Sequence, residues 1–470
     1  MKKNKLFLMV AMFTAAIFVL VACGNDNGGD TAATQPATDA AAEPATTIGI
    51  EAGPADIGDM DVAEGLAGEI TFSWWGNDGR HAATREIAEL FMAENPDVTI
   101  NFHYGVWGGW QEGVTTDLMA GTEADLMQVN FNWLALFSPL GTTFADLEDP
   151  VIAQHLDLGN WTTADIDMVR RNGVVQAVPS GITARVPFMR ADIYERAGLS
   201  VQDINTWDDL MAAGRTIQAE LGEDYFALSP LGNASLAYMV FSWLEQYTGR
   251  QFVDENNQFN YSLEELTAGF QLVQDMLDNG VLARHSEDNI NAQNPRWIAG
   301  NYGGVSEWDS SINAWINNLE DGENVIEVRD HFTMEGALLS GVMARPSMGF
   351  AISNNSNHPD VAAAFLNFML TDARAIAIQG TDRGVPANLL GLEHFNVLVE
   401  EGTIGGAAIE AFNVHNNAET TTMSPVFEFQ EVRDVYEIAL EDIQEGRRTV
   451  EEAAELVYNS IQAVIDSLVD

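Results

Sequence analysis

Six tryptophans, three amides and three carboxylates are the side chains whose type and position suggest chemistry. They are Trp74, Trp75, Trp107, Trp133, Trp243 and Trp308; Asn77, Asn130 and Asn132; and Asp78, Glu307 and Asp309. An aromatic plane covers the apolar C–H face of a sugar ring, while amides, carboxylates and guanidinium groups pair with its hydroxyls. The tryptophans divide by context. Trp243 lies inside an apolar helical run and reads as core. Trp74 shares strand parity with Ile70 and Phe72 and also fits core, which points Trp75 the other way. Trp308, between Glu307 and Asp309 at a strand end, admits both readings.

Glu307 and Asp309 could alternatively be a glycosidase acid pair. Two residues apart on a strand they share a face, so their carboxyls would flank one hydroxyl rather than both sides of a scissile bond. Hydroxyl binding is the better reading. Glu123 and Asp125 read as turn and strand residues. The eight histidines (81, 103, 155, 285, 331, 358, 394 and 415) are scattered with no short metal-ligand spacing,. No G-x-S-x-G elbow or G-x-G-x-x-G fingerprint occurs. The run Asp254–Gln258 lacks the glycine and distal glutamate of a calcium loop and reads as a solvated loop,. The only lysines are Lys2, Lys3 and Lys5. That excludes a Walker A loop, a Schiff-base lysine and a Ser-Lys dyad. No catalytic residue, metal or cofactor is assigned.

The elements that must position these groups belong to a chain of 470 residues, 46% hydrophobic and 19% charged. That composition is globular and that length predicts two domains. Lys+Arg number 21 against 70 Asp+Glu, a formal charge of −49. Nucleic acid and anionic membrane surfaces would both be repelled. Ile70 to Trp74 alternates as a strand, a turn through Gly76-Asn77-Asp78-Gly79 follows, and Ala83, Ile87, Leu90 and Phe91 recur at helical spacing until Asn95-Pro96,. Val98 to Tyr104 alternates again, so the first two strands should be parallel. A second helix is predicted over about Gly109 to Ala120 and a third strand over Asp125 to Val129. In open α/β sheets ligands bind beyond the carboxyl ends of the strands. That groups Trp75, Asn77 and Asp78 with Asn130, Asn132 and Trp133 on one binding edge. Farther on, Val174 to Val178 reads as a strand, Thr206 as an N-cap with Asp209 three residues later, and about Val450 to Leu468 as the last helix,.

At the N-terminus three lysines precede an apolar run from Leu6 to Ala22 that is short for a membrane span,. It ends in Leu20-Val21-Ala22-Cys23-Gly24, which resembles a bacterial lipobox, with the chain's one cysteine at the lipidated position. Residues 1–22 are therefore expected to be a lipoprotein signal peptide, and 23–67, rich in Ala, Thr, Gly, Pro and Asp, a lipidated flexible tether,.

The order of the remaining pieces resembles the extracellular solute-binding proteins of carbohydrate ABC importers, the family that includes maltose-binding protein. The segments that carry the likeness are the opening strand Ile70–Gly76, then Thr116–Val129, Ala177–Leu199, Thr206–Leu210, Met348–Leu370, Arg383–Asn388 and Gly446–Ala453. One departure is Met189-Arg190, where the family often has Asn-Lys. The resemblance implies an α/β, two-lobed, type II periplasmic-binding-protein fold, each lobe a mixed, mostly parallel sheet flanked by helices. It implies lobe 1 at 68–181 plus 348–388 and lobe 2 at 182–347 plus 389–470. By the same resemblance Ser180 and Thr183 sit at the crossing between lobes, and Arg383 approaches the cleft.

The function expected is a non-catalytic, extracytoplasmic, lipid-anchored receptor. It would bind a sugar or oligosaccharide by hinge closure and deliver it to the transmembrane subunits of an ABC permease. The receptor should be a monomer that touches the membrane by its lipid alone. A secreted polysaccharide hydrolase and a surface adhesin are the alternatives. The ligand is expected to be neutral, because loss of Lys2, Lys3 and Lys5 with the signal takes the charge of −49 to −52,. Arg383, Arg185 or Arg80 could instead form a local uronate clamp.

Overall fold

The structure, a computed structural model, describes residues 65–469 apart from 232–233, 286–290 and 405. The signal peptide, Cys23 and nearly all of the tether fall outside the described residues. Ten strands are described: β1 (Gly68–Trp75), β2 (Val98–Gly105), β3 (Leu126–Val129), β4 (Arg170–Arg171), β5 (Val174–Val175), β6 (Val178–Arg190), β7 (Gly304–Trp308), β8 (Ile326–Val328), β9 (Val342–Ile352) and β10 (Thr420–Thr422). The main sheet runs β2-β1-β3-β9-β6-β7, with β10 on β9 and β8 on β6.

The first βαβ unit follows the periodicity. β1 and β2 pair in parallel from Gly68 with Val98 to Trp75 with Gly105. Between them helix α1 (Asp78–Glu94) is capped by Asn77, whose side chain accepts from the Arg80 amide at 2.9 Å, and it ends at Asn95. Ile70, Phe72 and Trp74 enter a core with Ile87, Phe91, Phe365 and Leu366. On the opposite sheet face Trp75 packs with Trp110 and Val114 of α2 (Trp110–Ala120) and with Trp133 and Leu134 of α3 (Phe131–Phe137). Gly121, at φ +66, closes α2 in the left-handed region that suits glycine,.

One strand differs from expectation. Val174 to Val178 is not a single strand: Arg170–Arg171 and Val174–Val175 form a tight hairpin across Asn172 (φ 49) and Gly173 (φ 84). An Asn-Gly pair with both φ positive matches the twist of two-residue hairpins. The chain then enters β6, a single strand of 13 residues.

β6 and β9 join the two lobes. Antiparallel to each other, they pair from Val178 with Phe350 to Ala184 with Ala344, and the register slips on either side of Gly181. At one end β9 pairs β3, and at the other β6 pairs β7 and β8. A third segment meets them at the slip. The Ala387 amide donates to Ser180 O at 3.0 Å, and Ser347 Oγ donates to Gly181 O at 3.2 Å. A Cβ on Gly181 would stand 2.4 Å from the Val385 carbonyl oxygen, so this crossing has no room for a side chain.

Beyond the crossing the core is built from Leu210, Phe241, Leu244, Phe270, Phe427, Tyr436 and Val457, with a smaller cluster around Val186, Phe188, Trp297 and Trp315. The helix Trp207–Leu221 starts with the reciprocal Thr206–Asp209 capping box that its sequence predicts. Helix Val450–Val469 buries Val450, Ala453, Val457 and Ile461 on one face. Helix Leu389–Glu400 packs on the helices Pro359–Thr371 and Ala373–Gln379, with Gly391 against the Leu370 carbonyl.

Candidate functional site

Three parallel strands end at the same edge of lobe 1, and each supplies a tryptophan at or just past its end. Trp75 closes β1, Trp107 follows β2 and Trp133 follows β3. The Trp75 ring lies 5.1 Å from Trp107 and 5.2 Å from Trp133. Trp107 and Trp133 stack with centroids 5.8 Å apart and planes within 8°. Trp133 is fully buried and Trp75 nearly so, but Trp107 is 49% exposed. The result is an aromatic shelf whose open member is Trp107, held between Gly105 and the pair Gly108-Gly109. Trp74 is core as its parity predicts, and its indole N–H donates to His81 Nδ1 at 3.0 Å.

The amides on this edge are used in the fold. Asn77 caps α1, and Asp78 lies exposed in its first turn. Asn130 caps α3, its side-chain oxygen accepting from the Phe131 amide. Asn132 is buried and reaches across to the second lobe, donating from Nδ2 to the Glu428 carbonyl at 3.0 Å.

Glu428 belongs to a charged cluster around Trp308. Tyr238 Oη donates to Glu428 Oε1 at 2.6 Å, and Arg345 Nε forms an ion pair with the same oxygen at 3.1 Å, though its N–H does not point at it. The Arg345 guanidinium also donates from Nη1 to Pro346 O at 2.7 Å and lies 4.2 Å from the Trp308 centroid. Arg185 lies 5.3 Å from the same ring and 4.6 Å from Tyr238, and its Nη2 is 3.0 Å from Glu307 Oε1. Burial pushes the Glu307 carboxyl up against the pull of Arg185. Burial, reinforced by Glu428, holds the Tyr238 phenol well above its usual value.

This arrangement corrects three expectations. Trp308 is half-buried and covered by arginine, so it is not an open stacking surface. Glu307 and Asp309 do not act on one group: Glu307 pairs with Arg185, whereas Asp309 opens a 3-10 turn and accepts from Thr183 Oγ1 and from the Ser310 amide. Arg383 does not approach the cleft. It is 1% exposed and donates within lobe 1 to Gln128 (3.2 Å), Gln379 (3.2 Å) and Thr84 (2.8 Å), in a desolvated site that lowers its pKa. Arg80 likewise donates to the Trp75 and Asp382 carbonyls. Ser180 lies buried at the crossing and donates to Met348 O at 3.2 Å. Among the described residues no three His, Cys, Asp or Glu side chains gather as a metal site, and no single helix is long and apolar enough to cross a membrane.

A two-lobed sheet crossed by paired strands, with an aromatic shelf at the strand ends, is a binding-protein geometry. The model of the bacterial extracellular solute-binding protein family matches residues 76–375. The chain belongs to that family. Its fold is the two-lobed periplasmic-binding-protein type, and it resembles two solved structures over 86% of its length and the whole of theirs. One is a periplasmic solute-binding protein from Pectobacterium atrosepticum (28% identity, TM-score 0.79). The other is an oligogalacturonide-binding protein from Yersinia enterocolitica in complex with saturated digalacturonic acid (26%, TM-score 0.77). A lactose-binding protein from Rhizobium radiobacter is 25% identical over 203 residues, 42% of this chain and 45% of that one. The chain spans about half the length of the curated relatives it matches.

In this solute-binding protein Arg345, Tyr238 and Glu428 form a buried polar cluster beside Trp308 that sequence reasoning missed. Arg345 had a signal: an arginine inside the apolar strand Val342–Ile352 must be paired if it is buried,. Tyr238 sits in a mostly apolar helix, and Glu428 in a four-residue 3-10 turn; nothing local marks either.

Proposed function

We propose that this protein is the extracytoplasmic receptor of an ABC importer that binds a sugar or oligosaccharide between its lobes, closes by a hinge and presents the load to the permease. The observation that carries the reading is the shelf of Trp75, Trp133 and exposed Trp107 on the strand-end edge from which Asn132, next to Trp133, reaches the Glu428 carbonyl. A half-exposed tryptophan stacked on a buried one offers a rigid plane for a pyranose face. The hinge lies where β6, β9 and the 383–387 segment meet. Lobe 1 comprises 68–181 and 348–388, and the packing of helix Leu389–Glu400 supports carrying its boundary to residue 400. Cys23 anchors the mature chain, and the tether holds the lobes near the permease. The hydrolase alternative loses support because Glu307 and Glu428 each pair with an arginine.

The test is titration of the purified protein with lactose, arabinotriose, α-1,4-galactobiose and digalacturonate, followed by tryptophan fluorescence and calorimetry, with released reducing ends measured in parallel. At least one saccharide should bind without turnover. Trp107→Ala should weaken it by about 2 kcal/mol, roughly thirtyfold, the scale of a hot-spot aromatic. Unchanged affinity in Trp107→Ala would remove the shelf from the site, and sugar release would replace the receptor with an enzyme.

A further inference from the structure

We propose that the subsite formed by Asn132, Glu428 and Arg345 selects uncharged sugar hydroxyls and rejects a uronate; the inference rests on the receptor reading above. Glu428 uses only one of its carboxylate oxygens. Oε1 takes the Tyr238 hydroxyl and the Arg345 guanidinium, while Oε2 is buried with no hydrogen-bond partner among the described residues. Asn132 is in the same condition: Nδ2 is spent on the Glu428 carbonyl, and Oδ1 is buried without a partner. Both residues are more than nine-tenths buried. A buried acceptor left unmade costs about 1–3 kcal/mol, so these two, on residues joined by the Asn132–Glu428 hydrogen bond, are places where a donor brought by the ligand is favoured. They come from opposite lobes, and parting the lobes uncovers both.

A hydroxyl answers this set and a carboxylate does not. Each sugar hydroxyl gives one hydrogen to Oε2 or Oδ1, and it can accept from Arg345 Nη2, which has no acceptor among the described residues,. An ionised carboxylate has no hydrogen to give and would set its lone pairs against those two acceptors. Arg345 Nη2 is one donor that a carboxylate could also take, but it would take it with its remaining lone pairs set against Glu428 Oε2 and Asn132 Oδ1, while Arg345 and Arg185 already balance the charges of Glu428 and Glu307,. The chain's formal charge of −49 opposes an anion at longer range as well,. Preference for a neutral ligand would separate this receptor from the structure that holds digalacturonic acid.

The decisive probes are matched pairs that differ at C6 alone: α-1,4-galactobiose against α-1,4-digalacturonate, and cellobiose against its uronate. Lactose and arabinotriose complete the neutral set. A neutral saccharide should bind, its uronate counterpart should bind at least a hundredfold more weakly, and Glu428→Gln should weaken the neutral ligand tenfold or more. Asn132→Ala removes the other acceptor and leaves the ion pair in place, so it gives the same reading if Glu428→Gln does not fold. Digalacturonate binding more tightly than every neutral sugar would overturn this inference and leave the receptor standing. Neutral affinity untouched in both variants would also overturn it. Failure of every saccharide to bind the folded protein would overturn the receptor reading together with it.

Discussion

Replacing Glu245 by glutamine should stabilise the protein at alkaline pH and leave it unchanged in acid. Glu245 lies in the helix Ser235–Thr248, is 2% exposed, and is met by the Thr421 hydroxyl on Oε2 at 2.8 Å. Burial raises its carboxyl to about 7 from 4.5, and the Thr421 bond only partly offsets that. Raised folded-state affinity for the proton fixes the sign. Below about pH 4.5 the group is protonated in both states and contributes no difference. Between 4.5 and 7 the folded chain holds the proton and the unfolded chain does not, so stability falls as pH rises. Above 7 the loss is complete. A displacement of this size, at 1.36 kcal/mol per unit, corresponds to about 3 kcal/mol. Glutamine keeps an oxygen for Thr421 and carries no charge. Urea unfolding at pH 5 and pH 8.5 should therefore show wild type and Glu245→Gln close together in acid and apart by about 3 kcal/mol in base, with the variant more stable. An equal gap at both pH values, or a variant that is weaker in base, would refute the reasoning.

Arg383→Ala should lower stability by roughly 3 kcal/mol, because it orphans acceptors on Gln128, Gln379 and Thr84,; sugar affinity should stay at the wild-type value, and a large loss of affinity in a folded variant would return Arg383 to the cleft. Gly181→Ala should destabilise by about 1–3 kcal/mol, since its Cβ would meet the Val385 carbonyl at 2.4 Å,; an unchanged melting temperature would contradict the tight crossing. Melting temperature should rise with sodium chloride, which screens a chain with 70 acidic and 21 Lys+Arg residues,; a flat or falling curve would count against charge repulsion. Cys23→Ser should release the protein from cells or block its processing, as judged by fractionation, and unchanged membrane retention would argue against the lipid anchor.

What could be read in the sequence follows from the range of the forces involved. The βαβ start, the Thr206–Asp209 capping box and the buried side of Trp74 are set by neighbours within a few residues, and periodicity or a cap exposes them. The Asn172-Gly173 hairpin is equally local, and its Asn-Gly pair is the mark of a two-residue turn,. The polar cluster is of another kind. Tyr238 meets Glu428 across 190 positions, and Asn132 meets it across 296. No window contains such a pair. The strand-end rule therefore groups Trp75, Asn130, Asn132 and Trp133 on one edge of the sheet, but it does not say which tryptophan stays open, since that depends on what α3 buries. It also could not say that Trp308 would be covered. Arginine was the usable clue. In a chain whose only lysines are Lys2, Lys3 and Lys5, an arginine in a buried strand is a charge that must find a partner,. Asking what pairs Arg345 leads to Glu428, and asking what Glu428 leaves unpaired leads to Oε2 and to the subsite proposed above. Arg383 obeys the same rule with the opposite result: its partners are all in its own lobe, so its charge supports the fold and leaves nothing to offer a sugar.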